Sequence, residues 1–119
     1  MAENIITIEK SMNMINQLSG KGTADDMNQL VRWINDKEDH SEQFSHTVTY
    51  YFMAQRIKPA EKTDAENYEK YVAKLTLLHK MMITAMKAKQ SVDTAVTKQL
   101  NEQLTEFRKL YAAKDEQKH

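Results

Sequence analysis

Glu38, Glu42 and His46 stand four residues apart, a spacing that stacks them on one side of a helix, and His79 is a further imidazole later in the chain. Carboxylates and imidazoles in such an array are donor types that hold divalent metals. A di-iron carboxylate bundle, however, needs two Glu-x-x-His pairs on helices and a glutamate from each of two more. The sequence does not provide the two pairs. Glu42 and His46 also lie on the polar side relative to Phe44 and Val48, so the array is predicted to be a solvated charged face, with no metal and no cofactor. His79, beside Leu75 and Met82, reads as a boundary histidine hydrogen-bonded to a neighbour. Met81, Met82 and Met86 form a methionine-rich patch, predicted to fill the core although such patches also line adaptable surfaces. Lys70, Lys74, Lys80 and Lys87 are predicted to be a solvated strip, because no exposed aromatics or arginine cluster accompany them. Trp33 admits two readings, burial or a binding hot spot. No catalytic residue is assigned.

The elements that must position these residues are helices. The 119 residues contain two glycines and one proline, Gly20, Gly22 and Pro59, where average usage would give about eight and about six. Two glycines cannot build a Gly-rich phosphate loop. A sandwich or barrel needs turn signals throughout, and none follow residue 59. Cysteine is absent, so disulfides, thiolate metal sites and a cysteine nucleophile are excluded. Hydrophobic residues make up 40% and charged residues 29%, the balance of a folded soluble chain rather than a disordered one. Net charge is zero, and neither half is basic enough to point to nucleic acid. No apolar run is long enough to span a membrane, and the first ten residues do not read as a signal peptide.

Apolar residues recur at helical spacing. Ile5, Ile8, Met12, Ile15 and Leu18 mark a first helix, stopped at Ser19-Gly20. Thr23 with Asp25 and Asp26 caps a second, carried by Met27, Leu30, Val31 and Ile34. Residues 35–43 contain no apolar side chain, and Asp39-His-Ser-Glu42 resembles a capping box. A break near Asn35-Asp36 is therefore expected, with a third helix from about His40 to Lys58 carrying Phe44, Val48, Tyr51, Phe52 and Gln55. Pro59 ends it. Thr63-Asp-Ala-Glu66 is a second capping box. It starts a long helix with Tyr68, Tyr71, Val72, Leu75, Leu78, His79, Met82 and Met86 on one face. Ser91 is the expected cap of a last helix through Val92, Val96, Leu100, Leu104, Phe107 and Tyr111. The expected fold is all-α: a four- to five-helix antiparallel bundle with two long C-terminal helices. It forms a single domain with front helices over 4–58 and a helical hairpin over 63–114.

Leu18-Ser-Gly20, Thr23 with Asp25 and Asp26, Leu30, Trp33-Ile34, His40 and Phe44 together resemble the N-terminal cytoplasmic helical region of FecR-type anti-sigma regulators. The likeness covers about residues 12–52. The transmembrane helix and periplasmic domain of that family have no counterpart here. The resemblance implies a soluble, cytoplasmic, non-enzymatic protein that holds a sigma factor or other helical partner. Leu30, Trp33, Ile34 and Phe44 would dock against partner helices and mask a polymerase-binding surface, with anchors at helical spacing. A self-associating helical-bundle scaffold or accessory protein is the alternative, and a homo-oligomer is compatible with either.

Overall fold

A computed structural model describes the backbone of residues 1–117 and the side chains through residue 112. Four long helices account for nearly all of it: α1 (Ala2–Leu18), α2 (Ala24–His46), α3 (Ala65–Gln90) and α4 (Thr94–Gln117). There is no strand among the described residues. A π-helical segment, Thr47–Arg56, continues α2 without interruption. The molecule is a rod of 63 × 22 × 21 Å. α1 lies along α2 and α4 along α3, and the two pairs meet through α2 with α3 and α1 with α4.

The local chemistry explains the element ends. After Leu18, Gly20 adopts φ +85°, the left-handed conformation that favours glycine at a helix C-terminus. The Thr23 hydroxyl accepts from the Asp26 N–H at 3.1 Å and donates to the Asp26 carboxylate at 2.7 Å. One otherwise unpaired N–H of α2 is thereby satisfied. The cap of α3 is Asp64, one residue beyond the expected Thr63: its carboxylate accepts from the Asn67 N–H at 3.4 Å and from the Asn67 side-chain amide at 2.6 Å. Ser91 does not cap α4 directly. Its hydroxyl accepts from the Asp93 N–H, and the Asp93 carboxylate then accepts from the Ala95 N–H, so the turn is built in two steps.

The expected break at Asn35-Asp36 is absent, and α2 runs straight through it. The polar stretch is not uniformly solvated: Lys37 and Ser41 are buried on the face that also carries Phe44 and Val48. Lys37 Nζ donates to the carbonyl oxygens of Lys89 at 2.7 Å and Ser91 at 2.8 Å. A cation at a helix C-terminus meets the negative end of the dipole and carbonyls that have no partner within the helix. Lys37 thus ties α2 to the end of α3 where the sequence pattern suggested a break.

Beyond His46 the helix widens. The Ile57 N–H donates to the Phe52 carbonyl at 2.8 Å, a π-type closure five residues back. The wider turn keeps Phe44, Val48, Phe52 and Ile57, at intervals of four, four and five, toward the core. Gln55, expected on that face, is exposed, while Ile57 is buried.

The main core joins Ile5, Phe44, Val48, Ile57, Leu77, Leu78, Met81, Ala85, Leu100, Leu104 and Phe107. A smaller cluster of Ile8, Met12 and Ala88 lies toward the opposite end. The face of α3 differs from the expected one. Lys74, Leu77, Leu78, Met81, Thr84, Ala85 and Ala88 point inward, while His79, Val72 and Met86 face solvent. Both stripes have helical spacing. The inward one ends in small residues, Ala85 and Ala88, which let α3 approach its neighbours closely. Lys74 is buried rather than part of a solvated strip, and among the three methionines only Met81 is fully buried.

Candidate functional site

The π-helical segment and α4 build the most aromatic region of the molecule. Phe52 meets the edges of Phe107 at 5.0 Å and Tyr111 at 5.5 Å, and Tyr51 meets Phe52 at 4.9 Å. Such edge-to-face pairs place positive ring edges against negative faces. Arg56 Nε donates to the Tyr111 hydroxyl at 2.7 Å, and its guanidinium sits 5.8 Å from the Tyr51 ring centre. Together with Met1 and Leu104, these rings wall a cleft of about 490 Å³ beside the start of α1. π-helical turns recur at functional sites. The cleft offers apolar walls, a tyrosine hydroxyl and arginine donors. No carboxylate or imidazole occurs among its described lining residues.

The residues singled out for metal chemistry lie elsewhere and do not converge. Glu42 accepts from Lys89 Nζ at 2.7 Å, and this contact holds its carboxyl below the usual carboxylate range and Lys89 above the usual lysine range. His46 is exposed and stacks on Tyr50 at 4.4 Å between ring centres. His79 is exposed on α3 and not a boundary residue. The densest polar cluster is His40, whose Nδ1 is 3.0 Å from Asn4 Oδ1 and whose Nε2 is 3.6 Å from Asp36 Oδ1. Asp36 Oδ2 in turn lies 3.0 Å from the buried Ser11 hydroxyl. This cluster joins α1 to α2 and contains one imidazole and one carboxylate. No group of three or more His, Cys, Asp or Glu side chains that could hold a metal occurs among the described residues. Sequence reading placed His40 in a capping box at the start of the expected third helix and in the FecR-type resemblance, and did not pair it with Asn4. Its pairing with Asn4 spans 36 positions and has no periodic signal.

The four residues expected to bind a partner are divided by the fold. Leu30 and Trp33 are half-buried and Ile34 is 37% exposed, all on the first turns of α2. The Lys10 ammonium covers Trp33 at 5.6 Å from its ring centre. Phe44 is fully buried under α3 and has no surface to offer a partner. That assignment is corrected: Phe44 belongs to the core because α3 and α4 both reach its level.

Comparison with protein families gives a match over nearly the whole chain. The family model for nickel-containing superoxide dismutase covers residues 1–115, all four helices. Comparison with curated proteins and with solved structures gave no match. The family match overturns the resemblance to FecR-type regulators, which rested largely on capping residues and a glycine turn common to many helical hairpins. With it go the anti-sigma and transcription-regulation reading, the sigma-factor partner and the expectation of a non-enzymatic protein, because the matched family is one of oxidoreductases.

Nickel is implied by that family, and the donors present do not fit it. Imidazoles, other nitrogen and oxygen donors, or thiolates must converge on the ion. The chain has no cysteine, and among the described residues no three His, Asp or Glu side chains come together as a group that could hold a metal ion.

Proposed function

We propose, for a chain that belongs to the nickel-containing superoxide dismutase family, that superoxide dismutation is the activity it takes part in and that these residues form the helical body of that enzyme. The extent of the match carries the reading: it runs from residue 1 to residue 115 and takes in every helix. In the reaction, two superoxide anions and two protons give dioxygen and hydrogen peroxide, one superoxide being oxidised as the other is reduced. No step is assigned to side chains of this chain, because its described residues do not assemble metal donors.

The test uses protein isolated from its own cells grown with nickel. It is expected to remove superoxide faster than buffer. A folded, nickel-supplied preparation that removes superoxide no faster than buffer overturns the proposal. No described helix is long and apolar enough to cross a membrane. A cytoplasmic location is part of the proposal, checked by cell fractionation.

A further inference from the structure

The aromatic cleft between the π-helical segment and α4 carries side-chain charge of one sign. Arg108 is the charged side chain among its described lining residues. It is exposed, and its guanidinium makes no ion pair or hydrogen bond within the described residues. On α4 the positions three and four away are Leu104, Thr105, Tyr111 and Ala112, so no carboxylate stands within helical reach of it. An arginine without an acidic neighbour, set beside apolar walls, presents its planar donor fork to a carboxylate from outside the chain. Tyr111 adds a second donor. Its oxygen accepts from Arg56 Nε at 2.7 Å, which leaves the hydroxyl proton to donate elsewhere.

The walls select a flat body. The planes of Phe107 and Tyr111 are 31° apart, and Phe52 stands at 80° and 84° to them. The three rings thus form a corner of two nearly perpendicular planes. A planar aromatic laid along one plane meets the other edge-on, the arrangement that ring pairs favour. The π-helical turn supplies one side of this corner, because Thr47, Tyr51 and Phe52, four and five residues apart, line the same cleft. At about 490 Å³ the cleft has the size of a small-molecule site, with apolar walls and few polar groups to set orientation. We propose that this cleft binds an aromatic monocarboxylate. The rings of the ligand lie against Phe52, Phe107 and Tyr111, and its carboxylate pairs with the Arg108 guanidinium. Charge complementarity favours the anion over a neutral ring, and the ring corner favours an aromatic over an alkyl chain. The site uses no metal and does not depend on the dismutase reading.

The experiment is isothermal titration calorimetry of the full chain with 2-naphthoate, 2-naphthamide and octanoate. The amide keeps the rings without the charge, and octanoate keeps the charge without the rings. 2-Naphthoate is expected to bind with a Kd of about 0.1 mM or tighter, as the size of the ligand allows. The other two are expected to bind about tenfold more weakly or worse. Arg108→Gln should weaken 2-naphthoate about tenfold and leave 2-naphthamide unchanged. Ala112→Trp, at an exposed lining position, should weaken binding of both by filling the cleft. Arg32→Gln, toward the opposite end of α2 from the π-helical segment, should change neither. Circular dichroism checks that each variant keeps its helices, and the comparison of three ligands on wild type needs no variant. No binding of 2-naphthoate up to about 5 mM, equal affinity for the amide or octanoate, or equal loss in Arg108→Gln and Arg32→Gln each overturns the proposal.

Discussion

At one end of the rod the stripe of α2 meets three other helices, and Phe44 and Val48 have no exposed surface. At the other end the same stripe, carried by Met27 and Val31, stands more than half exposed. The helix, the spacing and the hydrophobicity are alike at the two ends, and only the reach of α3 and α4 differs. An apolar stripe is thus core only as far as something lies across it. The aromatic cluster of Phe52, Phe107 and Tyr111 belongs to the covered end, as does the cleft it walls. The uncovered end is held by caps and by the packing of one helix pair.

The largest expected effect tests this contrast directly. Phe44→Ala should cost about 3–5 kcal/mol, as expected for removing a fully buried aromatic. Met27→Ala should change monomer stability by about 0.5 kcal/mol or less, the range for surface positions. Urea unfolding of dilute protein measures both, and comparable losses would break the distinction. A single transition in the wild-type curve is expected if residues 4–58 and 63–114 form one domain, which we propose; two transitions would divide them.

Lys37 stands at the boundary between the ends. Lys37→Ala removes both bonds to the α3 terminus and is expected to cost about 1–3 kcal/mol. Hydrogen exchange at the last turn of α3 should rise in the variant, and an unchanged rate would show that the contact does not fasten that turn. Burial also lowers the Lys37 ammonium below the usual lysine range, with Glu38 opposing the shift. Between that lowered value and the ordinary value of 10.5, the unfolded chain binds more protons than the folded one. The Lys37 contribution therefore makes folding more favourable as pH rises through this window. Lys89 acts in the opposite sense: its raised value gives a contribution lost as pH climbs above 10.5.

The smallest effect is expected at the Glu42–Lys89 pair, which joins α2 to α3 on the surface. Because the Glu42 carboxyl is held below its ordinary value, its contribution is complete above that value and fades as pH falls through the lowered one. Glu42→Gln should flatten the acid limb of the stability profile slightly, and added salt should do the same to wild type. An acid limb identical in variant and wild type at low salt would remove the pair from the account.

Much of the fold was legible locally. The stripe from Ile5 to Leu18, the left-handed Gly20, the Thr23 cap and the run from Leu100 to Tyr111 are all short-range features, and they stand where the spacing placed them. Errors occurred where a distant element decided the outcome. Residues 35–43 suggested a break because Lys37 and Ser41 carry no apolar signal, yet both are buried, Lys37 against the end of α3. α3 carries two stripes of helical spacing, and the choice between them was made by its neighbours. The candidate site was less legible still. The cleft joins residue 1 to residues between 47 and 112, and the His40–Asn4 contact joins two helices.

The sequence alone determined that the chain is helical, because scarce glycine and proline leave few places to turn, and that no thiolate is available, because no cysteine is present. Its overall pattern also carried the superoxide dismutase family, which no single motif revealed. Only the tertiary structure decided which face of α3 is buried, that α2 is continuous, and that the stripe from Met27 to Ile34 lies bare. The physical reason is common to all three. Periodicity records which residues can be buried together, whereas burial itself depends on where other helices begin and end.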